Sequence, residues 1–362
     1  MPEIWIPYGD VETLVTVQAE NLHEVIECRD EESSLQLPKL SEGSKIYALD
    51  RCTPTIDALR KMSDTIEKTK SFIMSRRPEV IQRLLPDLKE RILQYEYIAK
   101  VDKAGELTFL KEKQQNFLFL STILPDVIFG IIEPKINAAL ELIEGAKEYV
   151  FGKGLDIAKK PLDKGENYRI ANELGEKLAG GSIGIVPCRG KALKVLSETE
   201  IKDASSFLHQ INTSQEKGII AGIGGMGYDD DLTKTLRYAW NAVPCLKEGG
   251  PLVIISECSE GLGSKAMEMY VSGRLKQEYI QRSRYVEGME SVILLFELKK
   301  RFEVFLLSGL AEVYVKKRLG INSVSSTKEA VNRAINKMQR SGKLSIVMRA
   351  AETCLNLTPS QG

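Results

Sequence analysis

Ile219–Ser264 constrains the fold more than any other part of the chain. An apolar run, Ile219–Ile223, breaks into glycines at Gly224, Gly225 and Gly227. Asp229, Asp230 and Asp231 follow where a helix should start, and that helix should stop at Gly249–Gly250. A second apolar run, Pro251–Ile255, opens into the polar loop Ser256–Gly263. Strand, loop, helix, strand, loop, helix is the order of a parallel sheet. Ligands of such sheets sit beyond the carboxyl ends of the strands, where both loops fall.

The rest of the chain extends this pattern. Glu3–Pro7 and Thr13–Val17 read as a hairpin turning at Gly9–Asp10. Lys45–Leu49 reads as a strand leading to Asp50, and Thr53 should cap a helix that has Pro54 in its first turn. Leu93–Ala99 and Asn116–Ser121 read as strands, the second as a central one. Glu20–Glu27 and Glu198–Gln210 read as helices, Ser182–Val186 and Lys343–Met348 as strands, and Thr327–Arg340 as an amphipathic helix. Glu31–Gly43 reads as loop. The expectation is an α/β protein of two α/β domains, with mainly parallel sheets facing each other across a cleft. The 362-residue length supports two domains. They are expected at 1–155 and 166–342, joined by a linker in Gly152–Gly165, with a tail of about 343–362 returning to the first.

Composition excludes several function classes. Lys+Arg and Asp+Glu both number 50, so bulk charge favours neither nucleic acid nor an anionic membrane as partner. No segment reads as a signal peptide or membrane span, so a cytoplasmic protein is expected. The six cysteines contain no CxxC pair and read as free thiols, Cys258 being the one in a ligand-facing loop. The two histidines, His23 and His209, are too few for chemistry built on several, and no metal site is expected.

Candidate site residues come from the strand exits. Gly224 and Gly225 belong to a G-x-G-G-x-G run lacking the spacing of a dinucleotide fingerprint. Its backbone N–H groups could hold an anion, making Gly224, Gly225, Asp229 and Asp230 a ligand-binding loop, or the run could be a tight turn with acidic capping. Glu257 and Glu260 could pair as acid and base, or belong to a capping loop. Asp50 and Thr53 bring a carboxylate and a hydroxyl to a helix start. Asp126 follows a strong strand, and Lys135 is either a cation for an anionic ligand or a solvated helix residue.

These stretches resemble the nickel-dependent lactate racemases and their 2-hydroxyacid racemase and epimerase relatives. Ile4–Gly9 resembles that family's opening strand and P-Y turn. Asp50–Pro54 resembles its D-x-T-R-P loop, Ile123–Gly130 its P-H segment, and Gly224–Asp230 its G-G-x-P-x-D loop. Lys247–Gly263, Phe302–Gly309 and Ala330–Val347 are similar to its closing elements. The resemblance implies two α/β domains around a cleft. In the family, a nickel pincer nucleotide on a lysine takes a hydride from carbon 2, and two histidines exchange the hydroxyl proton.

This chain departs where that chemistry is carried. Pro125-Asp126 stands for P-H, and Ser75-Arg76-Arg77-Pro78 for the G-T-H-R loop. Thr53 runs straight into Pro54 without the arginine, and Gly130–Lys135 has lost the glycine cradle. Arginine stays protonated, and an ordinary aspartate is too acidic to replace histidine as a base. The expectation is therefore a divergent relative without the nickel-pincer cofactor. It would bind a small anionic carboxylate through Arg76, Lys135 and the helix starts near Thr53 and Asp229. The alternatives are a 2-hydroxyacid isomerase using Asp126 and Glu257 as acid and base, or a regulatory or scaffold protein whose partner surface includes Tyr279–Tyr285.

Overall fold

The computed structural model describes residues 2–28, 35–110, 117–152, 154–158, 160–282, 284–338 and 342–358. Glu31, Asn116 and Arg340, which bound expected elements, lie outside the described residues, and so do parts of the expected linker and of Tyr279–Tyr285.

Two six-stranded sheets dominate. In the first, the order across the sheet is Lys191–Leu196, Gly181–Cys188, Phe117–Thr122, Lys45–Ala48, Phe72–Ser75, Ile92–Gln94. All neighbours are parallel except the first pair. In the second, the order is Asn322–Val324, Glu303–Leu307, Pro251–Ile255, Gly218–Gly222, Leu344–Val347, Leu22–Ile26, parallel throughout. Gly218–Gly222 and Pro251–Ile255 are buried at every residue. Burial on both faces is why these strands read as unbroken apolar runs. The mixed α/β class and the mainly parallel sheets agree with the expectation.

The sheets do not follow the expected division of the chain. Leu22–Ile26 precedes residue 155 but edges the second sheet, whereas Gly181–Leu196 follows 166 and completes the first. The tail strand Leu344–Val347 inserts into the second sheet rather than returning to the first, and Cys354–Leu357 pairs with Gln210–Thr213. Parallel strands recruit neighbours through long crossovers, so spatial grouping departs from chain order.

Three local readings are corrected by the same cause, tertiary pairing overriding local pattern. Glu20–Glu27 is not helical: one turn at Ala19–Asn21 leads into the strand Leu22–Ile26. Glu198–Gln210 holds only the short helix Glu198–Ile201, started by a Ser197–Glu200 capping box, before Gln210 begins a strand. Leu93–Ala99 is divided between Ile92–Gln94 and Ala99–Val101, which belong to different sheets. The helix expected to be capped by Thr53 instead includes it, Cys52 occupying the cap position.

The hairpin Glu3–Tyr8 and Val11–Thr16 lays Ile4, Ile6 and Val15 in one apolar cluster with Ile220, Val253 and Phe305 of the second sheet, beside the helix Thr327–Lys337. Cys28 and Cys188 form a disulfide, so not all six thiols are free. Cys28 follows the edge strand of the second sheet and Cys188 ends a strand of the first, a juxtaposition invisible at a separation of 160 residues. No helix among the described residues is long and apolar enough to cross a membrane.

Candidate functional site

The carboxyl ends of the two sheets face each other. Asp50 follows Lys45–Ala48 and Thr122 ends its own strand, on one side. On the other side are Asp231 and Lys234, after Gly218–Gly222, and Gly263-Ser264, after Pro251–Ile255. Between them lies a cavity of about 240 Å³, bounded further by Glu141, Lys147, Arg237, Tyr238, Glu287 and Glu290.

Ion pairs join the loops around it. Arg51 contacts Asp230 at 3.0 Å and Glu260 at 2.9 Å, and Arg77 contacts Glu260 at 2.6 Å. Lys147 reaches Glu287 at 2.9 Å and Glu141 at 3.1 Å. Gly227 makes the close approach possible. Its φ is +89°, and a Cβ there would lie 2.6 Å from the Arg51 carbonyl oxygen.

The charged groups are held in distinct states. Burial pushes the Asp50 carboxyl up, although the N–H groups of Thr122 (2.6 Å) and Cys52 (3.0 Å) draw it down. Asp231 caps the helix Leu232–Ala239 by accepting from the Lys234 N–H at 2.9 Å, and burial likewise raises it. Burial also raises Glu290, which accepts from the Tyr285 hydroxyl at 3.0 Å. For Asp230 burial opposes ionisation, but Lys234 at 2.8 Å, Arg51 and the Gly227 N–H outweigh it and hold the carboxyl below its ordinary value.

Arg237 is the unusual member. Its Nε donates to Asp126, whose other oxygen accepts from the N–H groups of Ile128 and Phe129, both at 2.9 Å. The guanidinium lies 5.1 Å from the centre of the Phe129 ring. Burial works against its charge, yet Asp126 more than restores it and raises the pKa. Its Nη2 is buried and has no hydrogen-bond partner among the described residues.

The sequence candidates are distributed over four places. Asp50 lines the cavity. Arg76 meets it through Glu141, at 2.7 Å, and Asp126 stands behind Arg237. Thr53 and Asp230 sit at the junction of the two loop sets: Thr53 Oγ1 donates to the Met226 carbonyl at 3.4 Å, and Asp230 is in the Arg51–Lys234 cluster.

Glu257, Asp229, Gly224 and Gly225 gather instead under the hairpin turn. Asp229 accepts from Gly9 N–H at 2.9 Å and Glu257 N–H at 3.3 Å, and burial raises its carboxyl. Gly225 packs against the Gly9 carbonyl, and the Gly224 carbonyl accepts from Arg349 at 2.6 Å. Cys258 is buried nearby and its thiol is pushed up to about 11, which disfavours a thiolate. Lys135 is elsewhere: its Nζ donates to the Gly180 carbonyl at 3.0 Å and approaches Glu198 and Glu176.

Lys147, Lys234, Arg237 and Glu290 were not singled out from the sequence. A signal for two of them existed. Lys234 and Arg237 are three residues apart at the start of a helix following a glycine loop, hence on one face of it. Nothing in the sequence marks Lys147 or Glu290, whose placement depends on the second sheet's approach to the first.

Two mainly parallel sheets meeting carboxyl edge to carboxyl edge around a charged cavity define the class: an α/β protein with a cavity between its two sheets. The chain is similar in structure to the lactate racemase apoprotein from Thermoanaerobacterium thermosaccharolyticum, with a TM-score of 0.70, 14% identity, and coverage of 98% of this chain and 100% of that one. The fold is therefore lactate-racemase-like. No protein-family model and no curated protein matches the sequence.

Proposed function

We propose that the chain binds a small carboxylate in the cavity between the sheet edges, with Arg237 as the principal anchor and Lys234 beside it. One observation carries this reading: a half-buried guanidinium borders the cavity, and its Nη2 has no hydrogen-bond partner among the described residues. An unpaired buried donor costs about 1–3 kcal/mol, so a side-chain shift that opens Nη2 to a ligand oxygen is favoured. Asp126 fixes the orientation of the guanidinium, leaving its other edge to the ligand. Burial raises the pKa of Asp50, Asp231 and Glu290 around the same cavity.

The nickel-pincer cofactor of lactate racemases does not fit the residues present. Lys135, near the position of the family's cofactor lysine, is engaged by Gly180, Glu198 and Glu176 away from the cavity. Asp126 stands where a histidine base is expected and is held by Arg237 and two N–H groups. His23 and His209 are not among the cavity residues. Glu257 lies in the hairpin-turn cluster and Asp126 behind Arg237, an arrangement that does not favour an acid–base pair acting on one substrate.

Thermal-shift and calorimetric titration with 2-hydroxyacids, 2-oxoacids and amino acids tests the reading. At least one carboxylate should raise Tm of the wild type. The Asp126→Asn/Arg237→Gln double variant, which leaves no buried carboxylate unpaired, should lose that response while remaining folded. Stoichiometric nickel, or a cofactor-sized mass on Lys135, in the purified protein would overturn it, as would binding unchanged in the double variant.

A further inference from the structure

A second constellation lies at the opposite, amino-terminal end of the second sheet, where neither the cavity nor the ion pairs around it reach. Here His23, Glu24 and Glu216 each present a ligand atom, and the three atoms lie within 4.8 Å of one another. His23 and Glu24 are consecutive residues of the edge strand Leu22–Ile26. In a regular strand they would point to opposite faces. They do not, because the register shifts: Leu22 pairs with Leu344 but Val25 pairs with Ile346, so His23 and Glu24 together oppose the single residue Ser345. A bulge of this kind re-aims side chains, and it brings both residues toward Glu216.

Glu216 is held from the other side. Its N–H donates to the Cys245 carbonyl at 2.6 Å, two residues before Gly218 starts its strand. Its carboxylate is only 3% exposed, with both oxygens 2.9 Å from His23 Nδ1. Hydroxyls position the carboxylates: Ser214 Oγ donates to Glu216 at 3.0 Å, and Thr213 Oγ1 donates to Glu24. Among the described residues, no lysine or arginine forms an ion pair with either glutamate.

We infer that His23, Glu24 and Glu216 form a binding site for a divalent transition-metal ion, Zn²⁺ being the ion that this donor set fits. One imidazole and two carboxylates are borderline-hard N/O ligands, and the imidazole argues against Ca²⁺ or Mg²⁺, which take oxygen donors. Tetrahedral Zn²⁺ at its usual bond lengths holds donors about 3.3 Å apart. The three ligand atoms here lie within 4.8 Å of one another, and rotation of His23 and Glu24 on an edge strand would close them on the ion, with water completing the shell. The hydroxyls of Thr213 and Ser214 are the outer-shell groups that orient the ligands. The ion would clamp the edge strand to the segment entering Gly218–Gly222, remote from the carboxylate cavity, and so would stabilise the fold without taking part in ligand binding.

The test uses the full chain with its disulfide intact, freed of metal by a chelator. Calorimetric titration with Zn²⁺ should show one equivalent bound and a rise in Tm. Co²⁺ should give d–d absorption bands at the same stoichiometry. His23→Gln, at an exposed position, should lower Zn²⁺ affinity at least about tenfold and abolish the Tm rise while circular dichroism stays unchanged. Glu24→Gln should do likewise, so the test stands even if the buried Glu216→Gln variant fails to fold. No saturable Zn²⁺ uptake by the wild type, or unaltered affinity in folded His23→Gln, overturns the assignment.

Discussion

Arg237 and Asp126 show how one residue's partner decides its role. Asp126 is 4% exposed and Arg237 is the only charge paired with it among the described residues. Arg237→Gln leaves that carboxylate with two N–H donors and no cation, and should cost about 3–5 kcal/mol in urea denaturation. Adding Asp126→Asn should recover much of the loss, because the uncompensated charge goes with it.

Glu290 gives the fold's stability a pH dependence. Burial raises its folded-state pKa above the ordinary 4.5. Its contribution to stability is complete below that ordinary value and is lost as the pH rises through the folded value. Glu290→Gln removes the titration and retains an oxygen for the Tyr285 hydroxyl. The variant should therefore gain stability relative to wild type as pH increases from 4.5, measured as the difference in Tm across pH 4 to 8. A constant difference would show that Glu290 does not titrate as described.

Among elements, the glycine loop after Gly218–Gly222 serves the packing of neighbouring segments. Its N–H groups do not open onto the cavity; the loop is where the hairpin turn, the Arg51–Thr53 segment and the second sheet come together. Gly227→Ala meets both a left-handed φ and backbone atoms of Arg51 and Cys52 at 2.6 Å. It should destabilise the fold by about 1–3 kcal/mol and weaken carboxylate binding by separating the loops that carry Asp50 and Lys234. A melting curve and a titration on the same sample check both effects. The strands Gly218–Gly222, Pro251–Ile255 and Phe117–Thr122 were legible because burial on both faces leaves an apolar run. Leu22–Ile26 was not, because an edge strand with a bulge has no clean period.

For the whole molecule, the two sheets are joined by the ion pairs around the cavity and by Cys28–Cys188 at a point where the chain crosses between them. The disulfide restricts the unfolded chain over a separation of 160 residues. Reduction, or Cys188→Ser, should lower unfolding free energy by about 2–4 kcal/mol, read as a fall in the urea midpoint with and without reductant. An unchanged midpoint would mean that the bridge adds nothing to the joining of the sheets.

The sequence alone determined that this chain builds parallel sheets with polar loops at their carboxyl ends, because apolar runs, glycine breaks and helix starts are local signals. It also showed that histidine chemistry is scarce, since counting requires no geometry. Tertiary structure alone decided which strands share a sheet, which cysteines pair, and which charges face the cavity. Those outcomes depend on crossovers joining residues far apart in the chain, such as Asp126 with Arg237 and Arg51 with Glu260. Burial then sets their ionisation through neighbours that no local pattern names.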